Sequence, residues 1–491
     1  MKRLISEFVR EQKRYSKNDI KNIFKLKTEE IDGFVKKLNN IGVLKFVKNN
    51  PEQRDLSDLI DTDIENLEIE FLNDTYYYVF TYVGVITVGR RVIKCYPKYI
   101  LKNDNPIDEM KQILKVLSRY NANEQIINFY NGDGDNKRFN LLAIMLFLIN
   151  DYYEYGVYNN TEDIIEINGD GEILWDKTIS NSLPLISNNR PYYMEFYTKR
   201  TIDDEYDFIK RLHKCVLTQC SKQLEITGLL DLFDIPSINI SEKIVDDFGD
   251  REYILYRLQS ELNIQFNTRK QILIKTIYAY LAQENTLEDT YGISMYGTNN
   301  FNLVWEKICS EVFSNKLNTK LGCLELPKPL SYEYNSNARL IDIIEKPTWI
   351  GYRINESGFE KKSKDTLIPD LVSVGKHETR TYFIIFDAKY YNLQLEEGKE
   401  LRNYPGIGDI TKQYLYQLVY KKFIEDHSIE FVKNCFLIPI EGDRIIKKGV
   451  VKMNIFNELG LQDIQIIFLP AKVIYDKYLT KKVMDISMLG L

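Results

Sequence analysis

The chain is 491 residues long, 28% charged and 44% hydrophobic, which calls for three or four domains rather than one core. Three histidines (His213, His377, His427), six scattered cysteines with no C-x-x-C pair, and a formal net charge of −6 argue against a histidine metal centre, a Ser-His-Asp triad, a disulfide framework, or a protein that coats nucleic acid. The longest apolar run, residues 141–149, is too short to cross a bilayer, and the charged N-terminus has no secretory h-region, so a cytoplasmic protein without membrane contact is expected.

Residues 1–48 carry thirteen Lys/Arg against six Asp/Glu, a net of +7 that leaves the remainder near −13. Such asymmetry points to an N-terminal partner site. Leu4, Ile5, Phe8 and Val9 predict a first helix, Ile20, Ile23 and Phe24 a second after Ser16, and Ile31, Phe34, Val35 and Leu38 a third over 28–40. Residues 42–48 alternate like a strand. The order suggests a winged-helix-like module over 1–50, with Lys36 and Lys37 either on a DNA-binding face or on a solvated one.

After an acidic segment at 51–63, strands are expected at 67–71, 76–83, 85–88 and 92–96, punctuated by Gly84 and Gly89, making a β-module over 51–105. A mostly helical region over 106–295 follows. Met110, Ile113, Leu114 and Leu117 mark one helix face, and residues 169–179 read as a loop and strand. His213-x-Cys215 with Cys220 has the look of a zinc half-site, but no second half accompanies it.

From residue 296 the pattern becomes α/β, giving a last domain over 296–491. A helix, Phe301 to Phe313, precedes Leu367-Ile-Pro-Asp370-Leu-Val-Ser-Val and Thr381-Tyr-Phe-Ile-Ile-Phe-Asp387-Ala-Lys389. Side chains alternate along a strand, so Phe383, Ile385, Asp387 and Lys389 share one face. The polar loop 375–380 allows the second strand to fold back on the first and bring Asp370 beside Asp387. A helix over 410–425 and strands at 434–440 and 464–470 complete the set. Pro-Asp is also a common turn, and Asp-x-Lys a common solvated strand end.

Together Asp370, Asp387 and Lys389 match P-D…(D/E)-x-K, the metal-binding core of a large class of nucleases. Two acids hold a divalent cation against a scissile phosphate while the ammonium orients or deprotonates water. Glu306 is the third acid candidate, with an exposed helix glutamate as its alternative. Lys412 and Gln413, in the first turn of the next helix, are expected to face the phosphate, with Asp409 as N-cap. Tyr416 and Tyr420 are expected to pack in the core.

These motifs, with Tyr296-Gly-Thr, Gly84-Val-Ile-x-Val-Gly89, Ile93-Lys-Cys-Tyr-Pro-Lys98 and Gly169 to Ile179, resemble the LlaJI restriction endonuclease family, related to McrC. The resemblance covers most of 66–470. It implies a multidomain α/β protein with an McrC-like β-module, a helical docking region and a restriction-endonuclease-like PD-(D/E)XK core. It further implies Mg²⁺ (or Mn²⁺) held by Asp370, Asp387 and the Ala388 carbonyl, with double-stranded DNA as substrate. A separate McrB-like AAA+ GTPase would be the partner, in an oligomeric motor–nuclease complex. The chain has no G-x-x-x-x-G-K-[ST] loop of its own. Two other readings stay open: a self-sufficient type II restriction endonuclease reading DNA with its winged helix, and a non-catalytic DNA-binding adaptor.

Overall fold

The computed structural model describes residues 5–48, 76–89, 91–121, 141–203, 206–282, 293–352, 358–378 and 380–491. The acidic segment 51–63 and the strand expected at 67–71 lie outside these. The chain divides into two compact units, one made of residues 1–86, 91–131 and 296–491, the other of 87–90 and 132–295.

In the first unit, helix Lys17–Ile23 starts at a capping box in which Ser16 and Asp19 satisfy each other's backbone N–H. Helix Thr28–Asn40 buries Ile31, Phe34, Val35 and Leu38, the stripe read from the sequence. Strands Arg14–Tyr15, Tyr76–Phe80 and Leu44–Lys48 form a small antiparallel sheet beside them. The expected first helix is corrected: Ile5–Arg10 is a strand, paired in parallel with Arg91–Tyr96 from Ile5↔Arg91 to Arg10↔Tyr96. A six-residue helix is unstable alone, whereas this segment gains a ladder and buries Val9 completely. Residues 1–50 therefore do not stand apart as a module. Arg91 extends the tie by donating to Phe24 O at 3.0 Å and pairing with Glu30 at 3.3 Å.

Gly84 and Gly297 explain two motif glycines. Both have positive φ, and a Cβ on Gly84 would lie 2.2 Å from Tyr296 O, one on Gly297 2.1 Å from Val83 O. Only glycine allows the two backbones to approach this closely.

The C-terminal sheet runs Leu371–His377, Arg380–Ala388, Phe431–Ile440, Ile464–Pro470, Ile446–Val451 across its width. The first pair is antiparallel, the next two parallel and the last antiparallel. One face packs on helix Ile407–Asp426, where Val372, Val374, Phe383 and Ile385 meet Tyr416, Tyr420 and Phe423. The other packs on helix Phe301–Val312 and its flank: Phe386 lies 5.2 Å from Phe313, and Trp305 Nε1 donates to Leu437 O at 3.1 Å. Strand Ile446–Val451 has no counterpart in the sequence reading. It is a polar edge strand with a bulge between Lys447 and Gly449.

The second unit holds helices Leu141–Tyr155, Phe208–Ile226, Arg251–Ile264 and Thr268–Leu281. Asp151, buried, takes a bidentate pair from Arg269 at 3.0 and 2.7 Å. In the segment read as loop and strand, a two-residue strand Glu172–Ile173 is followed by helix Trp175–Asn181. His213 is fully buried, and burial, then Arg269, pushes its pKa down to about 3. No helix among the described residues is long and apolar enough to cross a membrane.

Candidate active site

The strand pair brings the two acids together. Leu371 is opposite Phe386 in an antiparallel register, so the next opposed positions are Asp370 and Asp387. The charge of Asp370 acts directly on Asp387 across this pair. Asp370 Oδ2 also accepts from Ala388 N at 2.9 Å. Asn315 fixes the strand mouth, donating to Asp370 O at 3.2 Å and accepting from Val372 N at 3.2 Å.

Asp387 is only 5% exposed. Burial, then the neighbouring Asp370, pushes its carboxyl up to about 8 against the opposing pull of Lys389. A buried carboxyl beside a second acid resists ionising, so Asp387 holds its proton near neutral pH. Lys389 Nζ lies 3.0 Å from Asp387 Oδ2 and 3.0 Å from Asp409 Oδ1. Burial alone would lower the Lys389 pKa, but Asp387 and Asp409 outweigh it and raise it. The side chain is held as an ammonium.

Glu306 is partly buried on helix Phe301–Val312. Burial, then the charge of Asp370, pushes its carboxyl up to about 7, with Lys389 opposing. It therefore belongs to the electrostatic neighbourhood of the pair. Tyr416, anticipated as core packing, is buried, but it also senses the site: burial, then Asp387 and Asp370, pushes its phenol up to about 12.

Helix Ile407–Asp426 departs from the reading at its start. Its N-cap is Gly406, and Asp409 sits in the first turn with its side chain on Lys389. Asp409 is a site residue that sequence reasoning missed. The one available signal was an acid in the first turn of the helix after the Asp-x-Lys strand. Lys412 is exposed. Gln413 is corrected: it is fully buried, and Nε2 donates to Ile385 O at 3.3 Å and Cys435 O at 3.4 Å, with Oε1 unpartnered. It ties the helix to two strands instead of meeting water or phosphate. Lys36, exposed, and Lys37, partly buried, sit on helix Thr28–Asn40, outside this cluster.

Among the described residues, no three His, Cys, Asp or Glu side chains converge into a closed metal cage. The Asp370–Asp387 pair fits a more open arrangement. Its donors are all oxygens, suited to a hard cation such as Mg²⁺, which takes one or two carboxylates and completes its shell with water and substrate phosphate.

This chain is similar to other proteins over most of its length. It is 29% identical over 427 residues to the type II restriction enzyme BsuMI component YdjA of Bacillus subtilis (strain 168), covering 82% of this chain and 81% of that protein. A solved half-complex from the tetradecameric assembly of Thermococcus gammatolerans McrB AAA+ hexamers with bound McrC aligns with 97% of this chain and 99% of the matched chain, at 12% identity and a TM-score of 0.39. The cryo-EM structure of the Thermococcus gammatolerans McrBC complex aligns with 64% of this chain and 88% of that one, at 10% identity and a TM-score of 0.25. The model of the LlaJI restriction endonuclease family matches residues 82–472, and the chain belongs to that family.

Proposed function

We propose that this chain is the DNA-cleaving subunit of a restriction system, hydrolysing phosphodiester bonds with a divalent metal, Mg²⁺ or Mn²⁺. The observation that carries the reading is the opposed Asp370–Asp387 pair with Lys389 Nζ 3.0 Å from Asp387. Asp370 and Asp387 would hold the cation with the Ala388 carbonyl as a further oxygen donor, and Glu306, the third acid candidate, would add its negative charge nearby. A cation bound there supplies Lewis-acid stabilisation to the phosphate as charge develops on it. Lys389, held as an ammonium, orients the attacking water and offsets that charge. Asp409 holds Lys389 in place, and Gln413 keeps the helix seated on the strands that carry the acids.

A McrB-like AAA+ GTPase is the proposed partner, because the chain has no phosphate-binding loop of its own and its Bacillus relative is named a component of an enzyme. Exposed Leu183, Leu185, Ile186, Tyr192 and Met194 in the second unit offer apolar surface for such docking. Lys412, near the acids in sequence, and Lys36 and Lys37 on the N-terminal helix are the proposed DNA contacts. The protein would work in the cytoplasm.

The test is cleavage of double-stranded DNA with Mg²⁺, with and without GTP and the partner. Asp387→Ala and Lys389→Ala should reduce cutting to background while the protein stays folded. An active, metal-dependent Asp387→Ala protein overturns the assignment. The words "type II restriction enzyme" in the relative's name favour a second reading, a self-sufficient endonuclease. Efficient, site-specific cutting by this chain alone would establish it.

A further inference from the structure

The segment before residue 82, outside the family match, reaches the flank of the candidate site. Strand Ile5–Arg10 ends on Arg91–Tyr96, and the next residue, Glu11, continues the contact with its N–H on Tyr96 O at 2.9 Å. The Glu11 side chain is 5% exposed. Its Oε2 accepts from Lys98 N at 3.2 Å and from the Tyr390 hydroxyl. Tyr390 follows Lys389 directly.

Tyr390 is held on every side. Lys98 N also approaches its hydroxyl at 3.3 Å, and Lys98 Nζ lies 4.7 Å from its ring centroid. Two residues on, Asn392 Nδ2 donates to Lys98 O at 2.8 Å. The Tyr390 ring also packs on Phe301 at 5.3 Å, the first residue of the helix that carries Glu306. On its other side Lys389 N is pinned to Leu437 O at 2.9 Å. One phenol therefore joins the Asp-x-Lys strand end, the Glu306 helix and the 96–99 turn, and a carboxylate from the N-terminal strand fixes its hydroxyl.

A buried carboxylate is expensive to desolvate, and a hydrophobic residue would pack the same space at less cost. What the carboxylate adds is direction, because its oxygen accepts from two donors at set angles. We propose that Glu11 is a positioning residue for the nuclease motif: through Tyr390 it sets the placement of Lys389 against Asp387 and of the Glu306 helix against both. This rests on the metal-dependent nuclease reading above. It makes the N-terminal strand part of the nuclease core, whereas the sequence suggests a separable module.

The test uses the full chain and two substitutions that preserve shape. Glu11→Gln keeps an acceptor oxygen but cannot ionise, and Tyr390→Phe keeps the ring but removes the hydroxyl. Asp387→Ala is the control. Mn²⁺ affinity by calorimetry is the primary readout, with thermal midpoint and, where cutting is observed, kcat and KM for DNA beside it. Both variants should weaken Mn²⁺ binding at least fivefold and lower kcat at least tenfold, with KM unchanged and the midpoint lowered by no more than a few degrees. The double variant should be no worse than the more damaged single one, because both act through one hydrogen bond. If Asp387→Ala abolishes Mn²⁺ binding while Tyr390→Phe binds and cuts within twofold of the parent, the positioning role is overturned and the nuclease reading stands. If Asp387→Ala binds Mn²⁺ as the parent does, the metal site itself is wrong and the positioning role falls with it. Should Glu11→Gln fail to fold, Tyr390→Phe alone decides.

Discussion

Asp387→Asn should remove a pH dependence from the stability of the metal-free protein. In the native state burial, then Asp370, pushes the Asp387 carboxyl from 3.8 up to about 8. A raised carboxyl pKa means that the folded protein binds the proton more tightly than the unfolded chain does. The stability this contributes is complete below the unfolded value, is lost as pH rises from about 4, and is gone above about 8. At about 1.4 kcal/mol per pH unit, the full span is about 5–6 kcal/mol. That value already includes the opposing pull of the Lys389 ammonium 3.0 Å away, and relaxation of the site with water entry reduces the span to roughly 2–4 kcal/mol. Asparagine cannot ionise, and Lys389 keeps Asp409 as a partner at 3.0 Å. Thermal unfolding of parent and variant in EDTA at pH 5, 7 and 9 reads this directly. The two should differ least at pH 5, and the gap in favour of the variant should widen by several degrees by pH 9. Curves that run parallel from pH 5 to 9 would refute the account of the acid pair.

Other outcomes follow from the same geometry. Mn²⁺ affinity should rise between pH 6 and 8.5, up to about tenfold per unit for each proton displaced, because Glu306 near 7 and Asp387 near 8 lose theirs on binding. A pH-independent affinity by calorimetry would contradict this. Asp409→Asn should slow cleavage about tenfold or more while leaving Mn²⁺ affinity nearly unchanged, since Asp409 touches Lys389; an unaltered rate removes Asp409 from the site. Gly84→Ala should destabilise the protein by about 2–4 kcal/mol, because its Cβ would lie 2.2 Å from Tyr296 O. Gly33→Ala, in a helix with nothing within 4 Å of the new Cβ, should be neutral or slightly stabilising by the same melting measurement.

The strand pair was legible because period two is a strong local signal. Val372, Val374, Phe383 and Ile385 all face the helix core, and that parity fixes the sides of Asp370 and Asp387. Helix Ile407–Asp426 and strands Phe431–Ile440 and Ile464–Pro470 were legible from apolar pattern in the same way. What failed depended on distant partners. Leu4, Ile5, Phe8 and Val9 fit a helical stripe, and only the pairing with Arg91–Tyr96 makes Ile5–Arg10 a strand. Strand Ile446–Val451 is largely exposed and lysine-bearing, so nothing in its composition marks it as part of a sheet. Gln413 read as a solvent-facing amide because its two strand carbonyl partners in the core cannot be seen in a sequence. Asp409 looked like a cap because the helix begins earlier than its apolar pattern does.

The charge pattern also bears on whether this site is a working one or a retained scaffold. Asp370, Asp387, Asp409 and Glu306 share one neighbourhood with a single ammonium, Lys389. Near neutral pH the excess is relieved by protons held on Asp387 and Glu306, whose carboxyls are pushed up to about 8 and about 7. A structural ion pair has no use for that arrangement. Replacing the whole set with apolar side chains of similar volume would often be neutral or stabilising for a scaffold. A divalent cation, by contrast, would relieve the same excess by displacing the protons. A non-catalytic adaptor leaves unexplained the acids that opposed strands place side by side.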